Sequence, residues 1–251
     1  MLKGEMNGPK LENIRHPEEF FERKKFYQKS LDLFLLMIKK EPKNPPAWGH
    51  IGLLLYELGR LDESLKYFAM ITDDDPKNAV SWDAQGFINM EMGNFKKAAV
   101  FFKKVIEIDP KRLDVASDLA LCIYHEGKFD KAESLLQNCV KKRAGTKEYF
   151  ILGRIDEEKG ISGSENFRRS IETYQAPEGP VREAIYASLN EMRGIAFLKL
   201  KDQNGAKDAF IKAGERASLT DPDRMILSGF DLTYKLRADF IFEVRELFTN
   251  L

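Results

Sequence analysis

The sequence predicts an all-α fold, a stack of antiparallel helical hairpins in one elongated array. Three observations lead there. First, Trp48, Gly52, Gly59, Ser64, Phe68 and Pro76 recur as Trp82, Gly86, Gly93, Ala98, Phe102 and Pro110, each 34 positions on. A fixed period of about 20–50 residues marks stacked supersecondary units rather than one globular core. Second, the apolar residues inside each unit keep helical spacing, as Trp48, Ile51, Gly52 and Leu55 do at i, i+3, i+4 and i+7. Third, strand signals are nearly absent: no alternating Val/Ile/Thr runs are bounded by Asn-Gly or Asp-Gly turns.

The units follow in order. Residues 1–10 read as a flexible N-terminus. Residues 11–44 form a degenerate unit that keeps Ser30, Phe34 and Pro42, with a short first helix starting near Pro17. Residues 45–78, 79–112 and 113–146 are clear units. In the first of them Gly59 interrupts the pattern, and Asp62 and Glu63 suit the first turn of a second helix. That helix stops at Asp75-Pro76, because proline disfavours helix in the residue before it. In the third unit Ala144 replaces the closing proline. Residues 147–180 and 187–220 are divergent. The turn Gly160-Ile-Ser-Gly163 reads as two residues shorter than its counterparts, and Ala176–Pro180 is the clearest break in the chain. Residues 221–251 follow no repeat; their many apolar residues predict helices that cap the array or form an association surface, with a homo-oligomer as one outcome.

Trp48-x2-Ile51-Gly52-x2-Leu55, Ser64-x3-Phe68 and Pro76 resemble the tetratricopeptide repeat (TPR) pattern, and the next unit resembles it as closely. The third unit, Ala116-x2-Leu119-Ala120-x2-Ile123 with Ala132-x3-Leu136, is similar but lacks the tryptophan and the proline. The resemblance implies a right-handed superhelix of helical hairpins whose first helices line a concave groove. Trp48 and Trp82 are then expected to sit wedged between the two helices of their own units.

Composition narrows the function. Lys+Arg and Asp+Glu are both 40, spread evenly, so no basic block exists to neutralise phosphates and nucleic acid is not an expected partner. The longest apolar run, Leu33 to Ile38, is far shorter than a membrane span, and the N-terminus lacks a signal-peptide core; the expectation is no membrane insertion and a cytoplasmic location. Cys122 and Cys139 fall on apolar faces and read as small core hydrophobes. No phosphate-binding loop, HExxH, GxSxG or Cys/His metal spacing occurs, so no catalytic residue, no metal and no cofactor is expected, and the protein reads as non-catalytic.

Placed by the resemblance, the groove presents Leu53, Tyr56, Glu57, Asp83, Phe87, Met90, Glu91, Leu121, Tyr124 and His125. Leu53, Phe87 and Leu121 would form one apolar row, and Tyr56, Met90 and Tyr124 a second, both edged by acids. The competing reading is that these rows pack between adjacent first helices. The cationic clamp by which cochaperones of this family hold a C-terminal carboxylate is absent, because Gly49, Leu53, Ala84, Asp114 and Asp118 stand in its places. The expected role is a scaffold or adaptor holding an apolar, basic-flanked peptide or helix. A peptide-holding chaperone for secretion or assembly subunits is the second reading, and an enzyme with an unrecognised site the third.

Overall fold

The computed structural model describes residues 17–175 and 183–217, and among them every regular element is a helix. The expectations for the N-terminus, for the break at 176–180 and for residues 221–251 fall outside the described residues. The helices are α1 (Pro17–Lys40), α2 (Pro45–Glu57), α3 (Leu61–Asp74), α4 (Ala79–Glu91), α5 (Phe95–Ile108), α6 (Leu113–His125), α7 (Phe129–Lys142), α8 (Thr146–Glu158), α9 (Ser164–Glu172), α10 (Glu183–Lys199) and α11 (Gln203–Ala217). From α2 onward they pair as five hairpins, each packed on the next, which is the solenoid the period predicts.

Each hairpin turns the same way for the same reason. The first helix ends, and one residue takes a left-handed backbone that lets the chain reverse: Gly59, Gly93, Gly127 and Gly160, with φ between 73° and 76°. In the fifth hairpin Lys201 holds that place with φ 61°, the sole positive-φ residue other than glycine among the described residues. Asn44 and Asn78 start their helices by accepting a hydrogen bond from the Ala47 and Ser81 amides, at 3.0 Å each.

The two helices of a hairpin touch along a Gly–Phe line. A Cβ on Gly52, Gly86, Gly153 or Gly194 would lie within 3.0 Å of the Phe68, Phe102, Phe167 or Phe210 ring. Ser64 adds a hydrogen bond, its hydroxyl donating to the Gly52 carbonyl at 2.7 Å. Trp48 is buried, but it reaches beyond its own hairpin: it clusters with Phe68 and Ile71 of α3 and with Ile88 of α4. Trp82 is only half-buried, stacked on Phe101. Both indoles donate to the carbonyl of the proline six residues back, Trp48 to Pro42 at 3.1 Å and Trp82 to Pro76 at 3.0 Å. That bond explains why tryptophan and proline recur together.

Two segments differ from the sequence reading. Residues 17–40 form one uninterrupted helix where a short first helix and a turn were expected. Lys25 stands where Gly59 and Gly93 stand in the later units, so nothing breaks the helix. In the fourth hairpin, Gly160 does fall two residues nearer its aromatic partner than Gly59 does, yet the turn between helices is longer, not shorter. Residues 159–163 separate α8 from α9, whereas three residues separate α2 from α3. The lost length comes out of α9, which lacks a first turn. Gly163 occupies the small-residue place held by Ser64 and Ala98, and a Cβ there would lie 2.4 Å from the Gly153 carbonyl oxygen.

Candidate functional site

The first helices α2, α4 and α6 carry all ten groove residues, and the structure divides them sharply. Leu53 is 54% exposed and Phe87 37% exposed. Tyr56 and Glu57 are half-buried, and the Tyr56 ring meets Phe87 edge-on at 6.2 Å. These residues form an open apolar patch across α2 and α4.

Further along, the two rows close. Met90, Leu121 and Tyr124 are buried in one cluster with Phe150 and Ile151, so at these three places helix packing takes the side chains the groove was expected to present. For Leu121 and Tyr124 the physical reason is the approach of the next first helix: α6 packs directly against α8. Tyr124 donates to Glu158 at 3.4 Å and lies edge-on to His125. The His125 ring stacks flat on Phe95 at 3.8 Å. Burial, aided by the Arg154 charge, pushes its imidazole down to about 4.

The acids are also partly committed. Asp83 receives Arg112 at 2.7 Å, and the same guanidinium holds Asp114 at 2.8 Å. Burial raises the Asp83 carboxyl above its ordinary value despite Arg112. Burial acts on Asp114 too, but the Arg112 hydrogen bond and charge win and hold it low. Lys147 pairs with Asp118 at 2.7 Å, and that attraction keeps the ammonium raised against the cost of burial. Glu91 is buried and accepts the Tyr56 hydroxyl. Asp83 and Glu91 therefore meet partners within the chain rather than standing as a bare acidic edge.

One residue belongs to the open patch that sequence reasoning passed over. Val80 is 72% exposed and shares a face of α4 with Asp83 and Phe87, at i, i+3 and i+7. Its spacing to Phe87 was the available signal.

Among the described residues no helix is long and apolar enough to cross a membrane. Cys122 and Cys139 are buried free thiols, and burial raises both.

A solenoid of helical hairpins with small residues facing aromatics, a left-handed turn residue and a tryptophan–proline clasp defines a repeat protein built for surface rather than for a closed core. Models of the tetratricopeptide repeat match residues 45–69 and 89–152. The chain therefore carries tetratricopeptide repeats. A comparison with curated protein sequences gives no match. Among solved structures, a tetratricopeptide repeat protein from Parabacteroides merdae shares 17% identity over 90% of this chain and 79% of its own, with a TM-score of 0.62. BtubC from P. vanneervenii shares 13% identity over 80% of this chain and 91% of its own, with a TM-score of 0.50. At such identities the likeness shows the fold alone.

Proposed function

We propose that the protein is a non-catalytic interaction scaffold whose N-terminal first helices hold an apolar peptide or amphipathic helix. The observation that carries this is the open patch of Leu53, Val80 and Phe87 on helices whose other large apolar residues are mostly buried. Exposed apolar residues on adjacent repeat helices, bordered by polar ones, are what a helix-in-groove or extended-peptide site needs. Basic flanks of the ligand would meet Glu57 on one side. On the other they would meet Asp114, whose side chain is 52% exposed beside Arg112. The ligand's apolar residues would cover Leu53 and Phe87, and Tyr56 would floor the site between them.

The test is selection of peptides against the full chain from a random library, followed by binding to Leu53→Glu and Phe87→Glu variants. Both substitutions fall on exposed positions and should leave the melting temperature unchanged within a degree or two. Selected peptides should be rich in apolar residues and lose at least tenfold in affinity for either variant. Peptides that bind both variants as well as the parent would overturn the assignment of this patch.

A further inference from the structure

Tyr67, Phe101, Leu135 and Asn166 hold equivalent places. Each stands one residue before the large residue of a second helix that meets the small residue of the first: Phe68, Phe102, Leu136 and Phe167. In three hairpins this place is apolar and packed. Tyr67 joins one cluster with Trp48 and with Ile38 of the preceding helix. Phe101 stacks on Trp82 at 5.8 Å. Leu135 and Ile106 pack against the same core cluster. In α9 the place holds Asn166, whose amide donates to Asp156 at 2.7 Å. Beside it Tyr149 stands where Trp48 and Trp82 stand in their units. The pair Tyr149 and Asn166 is therefore smaller than the pair Trp82 and Phe101, and half of it is polar.

The volume this pair gives up is open. A cavity of about 270 Å³ lies between α7, α8 and α9, against Tyr149 and Asn166. None of the ten groove residues lines it, so it is separate from the proposed peptide site. Val140, Tyr149 and Leu152 give it apolar walls; Leu152 is buried and the other two are half-buried. The cavity is slightly smaller than the roughly 300–1,000 Å³ pockets that enclose drug-sized ligands, a size that suits a molecule of one or two rings.

The charged groups around the cavity mostly have partners. Lys159 pairs with Glu133 at 2.6 Å, and Gln137 donates to the same carboxylate at 3.2 Å. Glu165 holds the Arg169 guanidinium at 2.9 Å, and that guanidinium lies 5.8 Å from the Tyr149 ring centre. Lys141 is the exception: it lines the cavity, is exposed, and pairs with no carboxylate among the described residues. It stands where α3 and α5 carry Asp73 and Glu107, so the charge at this place is reversed in sign. Apolar walls, one aromatic ring and one uncompensated positive charge thus meet in a small space. We propose that this cavity binds a small aromatic carboxylic acid as its anion, with the ring against Tyr149 and Leu152 and the carboxylate at Lys141. Aromatic rings favour offset or edge-on contact with one another, and a lysine reads a carboxylate as a point charge. An inorganic anion has no apolar body to cover the walls, and a neutral aromatic leaves the Lys141 charge without a partner.

Ligand-observed NMR with the full chain tests this, using phenylacetate, 3-phenylpropionate and indole-3-acetate. At least one should bind in the micromolar to millimolar range expected of about 10–13 heavy atoms. The neutral amide of that acid should bind at least tenfold more weakly, and acetate not measurably. Lys141→Gln changes an exposed residue; it should weaken the acid at least tenfold and leave the melting temperature unchanged within a degree or two. Tyr149→Trp with Asn166→Phe rebuilds the pair found in α4 and α5, so it should fill the cavity and abolish binding while circular dichroism stays helical. Five results would overturn the proposal: none of the acids binds the parent; an acid and its amide bind equally; the Lys141→Gln protein binds as tightly as the parent; the refilled protein is folded and still binds; or a peptide with a free C-terminal phenylalanine binds this site where the small acids do not.

Discussion

The Phe102 ring lies so close to Gly86 that a Cβ there would sit 2.6 Å from it. The same contact joins Phe68 to Gly52, Phe167 to Gly153 and Phe210 to Gly194. In the third clear unit the pair is Ala120 with Leu136, both fully buried. Side-chain size on one helix thus sets the size allowed on the other. Gly86→Ala should cost about 1–3 kcal/mol through overpacking. Adding Phe102→Leu should recover part of that loss, because it recreates the third unit's pair. Urea unfolding of the two single variants and the double variant measures the coupling; strictly additive costs would show that the contact is slack.

Trp48 and Trp82 hold equivalent places but unequal surroundings. Trp48 is buried among α3 and α4, so Trp48→Ala should cost about 3–5 kcal/mol. Trp82 is half-buried, and its replacement should cost clearly less. Thermal melts of the two variants check the order, and a larger loss at Trp82 would contradict the packing described above.

Lys201 occupies the left-handed turn position that glycine fills in the four hairpins before it. That backbone costs a residue with a Cβ roughly 1–2 kcal/mol. Lys201→Gly should therefore stabilise the protein by about 1 kcal/mol in chemical denaturation, while Lys201→Ala should gain nothing.

Glu191 is buried in α10, and among the described residues its Oε2 has no hydrogen-bond partner. Burial pushes the carboxyl up to about 8. A folded-state value above the unfolded one means that protonation favours the fold. This contribution is fully present below pH 4.5 and is lost as the pH rises through 8, at up to about 1.4 kcal/mol per pH unit. Glu191→Gln should flatten stability across that window and raise it near pH 8. An unchanged pH profile would mean the carboxyl is solvated.

The period of 34 made α2 to α7 legible, because small residues, aromatics, turn glycines and prolines each answer to a local packing or backbone need. The same signals were silent at α1, where Lys25 in the turn position was the cue that no turn would form. At α9 the glycine-to-aromatic spacing was visible, but not that the helix would give up its first turn to Gly163. The groove was legible only in outline. An apolar stripe looks alike whether it meets solvent or the next helix, so Phe87 and Leu121 could not be separated by sequence. Nor could the pairing of Asp83 with Arg112, which lies in the turn before α6.

The main helix contacts run from each element to its neighbours in the chain, with α6 to α8 and α8 to α10 as the longer steps. Among the described helices no such contact joins the ends to the middle. Pulled from its ends, such a molecule should come apart one hairpin at a time rather than in a single event. Amide exchange should be slowest in α5 to α8 and faster toward both ends, so damage to one hairpin can leave the surface presented by another intact.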